Sequence, residues 1–224
     1  MWLSLVFISM SVGTLTLALQ TTEATDEDLM LDYAKGNAQA FERLYARHRK
    51  PVFNFILRSV HSVELAEELM QEVFMRVIQN AQSYTKQAKF TTWLYTIARN
   101  ICIDAYRRQR HRVMLSLHQS APSRTQDEGP TLEQSIEDAE ARERSEDNTF
   151  FREIHHSLEI GLEGLPPEQR EVFLLREVSH LSYKEIADVV GTLENTVKSR
   201  MRYALEYLRR HLESKGVTLE DLQR

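Results

Sequence analysis

Between Val63 and Gln79, seven apolar residues lie on one stripe: Ala66, Leu69, Met70, Val73, Phe74, Val77 and Ile78 follow the spacing i, i+3, i+4, i+7, i+8, i+11 and i+12. That spacing matches a 3.6-residue period and predicts an amphipathic helix over 63–79. Glu64, Glu67, Glu68, Gln71, Glu72 and Arg76 fall on the polar remainder. Such a helix folds only if other helices cover its apolar face. Seven Gly and five Pro in 224 residues are too few for a turn-rich all-β chain. The expected fold class is all-α.

The rest of the chain reads the same way. Residues 26–35 form a short helix with acidic residues at its start, which suits the positive end of the helix dipole, and Gly36 stops it. Asn37 is placed to cap a helix carrying Phe41, Leu44 and Tyr45. Pro51 opens a further stretch with Val52, Phe55, Ile56 and Ser59. Residues 80–89 are a polar loop. Beyond it Phe90, Leu94, Ile97, Ala98, Ile101 and Ala105 share one face of a helix that ends in Arg107, Arg108, Arg110 and Arg112.

Periodicity is lost over 114–149, where Pro122, Gly129, Pro130 and several Ser mark a flexible linker. It resumes at Phe150 with a helix to about Leu162. Pro166-Pro167 begin another, which buries Val172, Phe173 and Leu175. Ser182 and Glu185 match the S-x-x-E capping box, so Ser182 caps a short helix carrying Tyr183, Ile186, Ala187 and Val190. Gly191 ends it. A last helix presents Val197, Met201, Ala204, Leu205, Leu208 and Leu212 on one side.

Charge is unevenly spread. The net charge of -5 taken alone argues against a nucleic-acid binder. Yet residues 84–113 hold seven basic groups and one acidic, net +6, and residues 114–150 hold three basic and nine acidic, net -6. The acidic linker conceals a basic segment beside it. Residues 1–22 carry no charge, and 13 of the first 19 are apolar. Ser4, Ser9, Ser11, Gly13, Thr14 and Thr16 interrupt that run, which makes it a marginal membrane span. It also lacks the basic start and the small-residue cleavage site of a secretory signal. The single cysteine, Cys102, excludes an internal disulfide and a cysteine zinc cluster.

Two constellations carry chemistry. A capped helix, the turn at Gly191 and a second helix from 194 make a helix-turn-helix, whose second helix enters a DNA major groove. Its exposed residues, Glu194, Asn195, Thr196, Lys198, Ser199, Arg200 and Arg202, mix base-reading polar groups with phosphate-binding cations. The other constellation, 84–112, interleaves Tyr84, Phe90, Trp93, Tyr95 and Tyr106 with basic residues. Cations draw in a phosphate backbone, and exposed rings stack on unpaired bases. Tyr84, in a polar loop, is expected to be such an exposed ring.

Three stretches carry a family resemblance: ELAEELMQEVF at 64–74, KFTTWLYTIARNICIDAYRRQRHR at 89–112, and the run from LPPEQREVF through ENTVKSRMRYALEYLRRHL at 165–212. Together they resemble bacterial RNA polymerase sigma factors of the extracytoplasmic-function class. The resemblance implies two small helical domains joined by the acidic linker. Region 2 covers 24–113, the linker 114–149 and region 4 150–214, between an apolar head at 1–23 and a tail at 215–224. It implies core RNA polymerase, through its beta and beta-prime subunits, promoter DNA and an anti-sigma factor as partners, no cofactor and no catalysis.

By the same resemblance Glu68, Gln71 and Glu72 face the beta-prime clamp. Tyr84, Lys86, Lys89, Thr92, Trp93, Tyr95, Arg99, Asn100, Arg107 and Arg108 serve the minus-ten element. Tyr183, Lys184, Asn195, Thr196, Lys198, Ser199, Arg200 and Arg202 serve the minus-thirty-five element. The linker resembles the segment that threads toward the RNA exit path. Two positions depart from the family pattern. Ala66-Glu67-Glu68 stands where Ala-Glu-Asp is frequent, and Asn195 precedes the Thr-Val-Lys-Ser-Arg run where Gly is frequent.

A cytoplasmic location is expected, since a factor that works on polymerase is not exported. The head is then best read as an upstream-extended start, with a membrane tether as the alternative. Two competing functions match part of the sequence. Glu153…His156 and Glu177…His180 carry the E-x-x-H spacing of di-iron bundles, but Pro166-Pro167 separate them. An independent duplex-binding regulator accounts for 165–212 and leaves 63–112 without a role.

Overall fold

The computed structural model describes residues 24–118 and 149–217. The head at 1–23, most of the linker and the end of the tail lie outside these residues, and with them the expectations placed there. Among the described residues the regular structure is helical throughout, which agrees with the all-α expectation.

The first bundle contains α1 (Asp26–Ala34), α2 (Ala38–Val60), α3 (Val63–Gln79), a single 3-10 turn at Ala81–Ser83, and α4 (Phe90–His118). Thr25 caps α1 by accepting the Asp28 amide at 3.2 Å. Asp26 has a second role beyond the dipole. Its two oxygens lie 2.7 Å from Arg47 Nη1 and 2.7 Å from His48 Nε2, which ties α1 across α2.

Pro51 does not open a new helix. It sits inside one continuous 23-residue helix. Proline removes the amide that would bond the carbonyl of Arg47. Tertiary packing overrides that loss: Ala40 and Leu44 before the proline and Val52, Phe55 and Ile56 after it are all buried. Asn37 precedes the helix without a side-chain capping bond.

The 63–79 stripe folds as its spacing dictates. Ala66, Leu69, Val73, Phe74 and Val77 are buried, and Ser62 caps the helix through the Leu65 amide at 3.3 Å. Against them lie Phe90, Leu94, Ala98 and Ile101 of α4. Burying each large aliphatic or aromatic side chain contributes about 1.5–3 kcal/mol. Helix α4 runs on to His118, past the arginine cluster where the pattern fades.

The second bundle contains α5 (Thr149–Glu163), α6 (Pro167–Glu177), α7 (Tyr183–Val190) and α8 (Glu194–Ser214). Two arginines lock its turns. Arg170 donates to the carbonyl of Glu163 at 2.6 Å, and Arg176 donates to that of Leu181 at 2.7 Å. The capping box at Ser182 is complete, with Glu185 N donating to Ser182 Oγ at 3.3 Å and Ser182 N to Glu185 Oε2 at 2.7 Å. Gly191 has φ 68°, a left-handed value that glycine adopts without strain. Val197, Met201, Ala204, Leu208 and Leu212 bury the inner face of α8.

The bundles touch along α4 against α7 and α2 against α6. No helix among the described residues is long and apolar enough to cross a membrane.

Candidate nucleic-acid and polymerase interface

On α3, Glu68 and Gln71 are exposed and Glu72 is half-buried. Glu72 holds two cations: Arg76 Nη2 at 2.6 Å on its own helix and Arg108 Nη2 at 3.9 Å on α4. Met75, 52% exposed, adds an apolar group to the same helix. The outer side of α3 therefore offers a carboxylate, an amide and a thioether.

The loop and the start of α4 depart from expectation at three positions. Tyr84 is 7% exposed. The loop folds back so that its ring lies 5.2 Å from Trp93 and 6.2 Å from Phe90, centroid to centroid, while its hydroxyl donates to the Ala88 carbonyl at 3.3 Å. Burial, with smaller contributions from Glu27 and Asp26, pushes its hydroxyl up to about 12. Tyr95 is 1% exposed, set edge-on to Phe55 at 5.5 Å and lying beside Ser179 of the second bundle. Thr92 is buried as well. In this arrangement neither tyrosine offers a ring face to a base; Trp93 remains half-buried and Asn100 exposed.

Five cations of this segment, Lys86, Lys89, Arg99, Arg107 and Arg108, are met by carboxylates. Lys86 Nζ lies 2.6 Å from Asp28, Arg107 Nη1 3.7 Å from Asp104, and Arg108 3.9 Å from Glu72. Two partners come from the second bundle. Lys89 Nζ lies 2.8 Å from Glu185 Oε1. Arg99 donates to both oxygens of Glu171, at 2.7 and 3.4 Å. The Arg99 and Glu171 side chains are only 23% and 20% exposed. Such a forked, half-buried pair is stronger than an open surface pair, which contributes about 0.2–1 kcal/mol. Burial raises the Glu185 carboxyl, but bonds from Lys89 and Ser182 outweigh it and hold the group below its ordinary value.

In the helix-turn-helix, Leu193 precedes α8 and is 76% exposed. Its carbonyl accepts the amides of Thr196 and Val197 at 2.9 and 3.1 Å. Val197 points inward. Asn195, Lys198, Ser199 and Arg202 are exposed, and Thr196 and Arg200 half-buried. Lys198 pairs with Glu194 at 2.7 Å. The Arg202 guanidinium lies 4.9 Å from the centroid of the Tyr203 ring. On α7, Lys184 is exposed and the half-buried Tyr183 ring sits 5.0 Å from the Arg176 guanidinium.

Two residues here have no signal in the local pattern, Glu27 and Glu171, and a third, Glu185, has only part of its role signalled. Glu27 Oε1 accepts the Phe90 amide at 2.8 Å, which caps α4 from 63 positions away. Glu185 is visible in the sequence as a cap, but its second oxygen serves Lys89. The Glu177…His180 pair does not share one helix. Glu177 ends α6 and His180 lies beyond it in left-handed backbone at φ 54°. Among the described residues no three His, Cys, Asp or Glu side chains cluster to hold a metal.

The sigma-70 region 2 family matches residues 44–112 and the sigma-70 region 4 family residues 161–208. The chain is 29% identical over 179 residues to the extracytoplasmic-function RNA polymerase sigma factor SigW of Bacillus subtilis, covering 80% of this chain and 91% of the relative. It is 30% identical over 181 residues to the RNA polymerase sigma factor CarQ of Myxococcus xanthus, covering 79% and 91%. In fold it resembles the sigma factor RpoE of Bartonella quintana, crystallised with the anti-sigma factor NepR. That match has a TM-score of 0.59 and 22% identity, over 79% of this chain and 98% of the other. CnrH, solved with the cytosolic domain of CnrY, also gives 0.59, at 21% identity over 84% and 97%.

These matches define a transcription initiation factor of the sigma-70 type. The chain belongs to the RNA polymerase sigma factors of the extracytoplasmic-function class. Its function is to direct polymerase to promoters for initiation.

Proposed function

We propose a division of this work between the two bundles. The outer side of α3, through Glu68, Gln71 and Glu72, docks on the beta-prime subunit of core RNA polymerase. Lys86, Lys89, Trp93, Arg99, Asn100, Arg107 and Arg108 hold the minus-ten strand, with Tyr84, Thr92 and Tyr95 shaping the frame behind them. Tyr183, Lys184, Asn195, Thr196, Lys198, Ser199, Arg200 and Arg202 read and anchor the minus-thirty-five element. The domains run 24–113 and 150–214.

The chain acts in the cytoplasm and without catalysis of its own, by supplying binding surfaces to the polymerase. An anti-sigma factor is the third partner, as it is for Bartonella quintana RpoE. The observation that carries the reading is the start of α8. There Asn195, Lys198 and Ser199 lie exposed behind the Leu193 turn while Val197 anchors the helix inward. A recognition helix requires that geometry, with base-reading groups at its first turns.

Transcription with purified core polymerase on fragmented genomic DNA of the source organism tests this. Mapped start sites are expected to share one pair of upstream elements. Footprinting of the same DNA is expected to need core enzyme. Start sites with no common element, or a specific footprint from the protein alone, would overturn the proposal.

A further inference from the structure

We propose that Leu193 is a base-reading residue of the helix-turn-helix: it packs on the C5-methyl of a thymine in the minus-thirty-five element, beside an adenine held by the Asn195 amide. The inference deepens the reading above that α8 enters the promoter major groove, and rests on it.

Leu193 fills neither of the roles its position offers in the fold. It is the residue before α8, where Ser, Thr, Asp and Asn are favoured because their side chains accept an amide of the first turn, and leucine is among the disfavoured choices. No side chain caps α8 there. Within the same motif Ser182 closes a complete capping box on α7. Nor does Leu193 pack. Val189 and Val197 on either side of the turn are buried, while Leu193 is 76% exposed. A residue that neither caps nor packs breaks two local rules at once, and such breaks are expected where a position serves a site rather than the fold.

The backbone beneath that side chain is nonetheless firmly held. The Leu193 carbonyl accepts the amides of Thr196 and Val197 at 2.9 and 3.1 Å, and Thr192 N donates to the Ala187 carbonyl at 3.1 Å. An apolar group is thereby fixed at the head of the recognition helix, where base edges are met.

Asn195 is left unused by the same geometry. An amide here can cap the helix or contact a base. The cap position belongs to Leu193, two residues earlier, and the exposed Asn195 side chain makes no hydrogen bond among the described residues. It shares one stripe of α8 with Ser199 and Arg202, at i, i+4 and i+7. Glu194 and Lys198 instead hold each other at 2.7 Å.

The chemistry of the two groups selects the bases. In the major groove an Asn amide matches the N6 donor and N7 acceptor of adenine, and an apolar side chain meets the thymine methyl. Neither contact is to a phosphate, so both bear on sequence rather than on DNA affinity in general.

The test uses the full chain with core polymerase and a duplex promoter from the mapped start sites, carrying single base analogues in its upstream element. Deoxyuridine in place of thymine removes the methyl alone, and 7-deazaadenine in place of adenine removes the N7 acceptor alone. At one thymine, deoxyuridine is expected to weaken parent binding about fourfold, the scale of one methyl group leaving an apolar contact. At one adenine, 7-deazaadenine is expected to weaken it about fivefold, the lower end for a lost base contact. Leu193→Ala should bind the thymine and deoxyuridine promoters alike, and Asn195→Ala the adenine and 7-deazaadenine promoters alike. The analogues change the DNA and leave the parent protein intact, so a folding defect cannot imitate their effect.

Deoxyuridine without effect throughout the element, or a Leu193→Ala chain that keeps the parent's sensitivity to it, would overturn the Leu193 contact. 7-Deazaadenine decides the Asn195 contact in the same way. Failure of the underlying reading looks different: exchanging whole base pairs of the element would then leave parent binding unchanged, and Arg200→Ala would bind the promoter as the parent does.

Discussion

Glu27, on the first turn of α1, accepts the backbone amide of Phe90 at 2.8 Å and so caps a helix that begins 63 residues later. The bond fixes where the polar loop ends and α4 starts. Lys86, tied to Asp28 at 2.6 Å, reinforces the same junction. Glu27→Ala is expected to cost about 0.5–2 kcal/mol of stability, the range for a lost helix cap. Glu27→Gln, whose amide oxygen can still accept, should retain most of it. Denaturant unfolding of the two variants checks this, and equal loss in both would contradict a capping role.

Acid should release the α1 clasp. The His48 hydrogen bond, opposed by burial and joined by Arg47, holds the Asp26 carboxyl below its ordinary 3.8. A depressed acid stabilises the fold above its unfolded value, and that stabilisation fades as pH falls through the folded value. Stability is therefore expected to be steady from neutral pH down to about 4 on this account and to fall below it. Asp26→Asn should be less stable than the parent at pH 7 and should flatten that acid limb. Unfolding midpoints measured across the range test both; an unchanged limb would argue against the clasp.

Cys102 is expected to be chemically silent. Burial, followed by the nearby Glu171 charge, pushes its thiol up to about 12. The thiolate is the reactive form, so at pH 8 almost none is present. A coloured thiol reagent should react slowly with native protein and at once after denaturant is added. Rapid labelling of the native state would show that α4 opens far more readily than its packing implies.

The two working surfaces should fail separately. Arg200→Ala is expected to weaken minus-thirty-five recognition by about 1–3 kcal/mol, the usual scale for a base or backbone contact of this kind. Core polymerase binding should be unaffected. Gln71→Ala with Glu72→Ala should do the reverse, and should also release Arg76 and Arg108 from Glu72. Polymerase pull-down and promoter binding, run in parallel on both variants, decide it. Loss of both activities in either variant would contradict the division of labour.

How much could be read from the chain depends on whether a signal is periodic. The stripe from Ala66 to Ile78 repeats with the helix, and α3 formed over Val63–Gln79 as that repeat requires. The Ser182–Glu185 cap is a local code and appeared complete. Pro51 is also a local code, for a helix start, yet it lost to the packing of residues buried on both sides of it, Ala40 and Leu44 before and Val52, Phe55 and Ile56 after. Tyr84 looked exposed because its neighbours in sequence are polar, while its neighbours in space are Phe90 and Trp93. The partnership of Arg99 with Glu171 spans 72 positions and has no period at all. Pairings between bundles are set by how whole helices dock, so the site's cations were legible and their occupants were not.

The carboxylates beside Lys86, Lys89, Arg99, Arg107 and Arg108 also bear on ionic strength. Strand binding that displaces counterions weakens with salt, with a log–log slope of about -0.7 for each phosphate neutralised. On the proposed strand contacts, part of what DNA displaces is the protein's own acid, which carries no free counterion to release. Added salt screens the attraction for DNA and loosens the competing pairs at once. The free protein should therefore show a shallower salt dependence than its count of arginines implies, and the steeper dependence should emerge once Glu171 and Glu185 are neutralised.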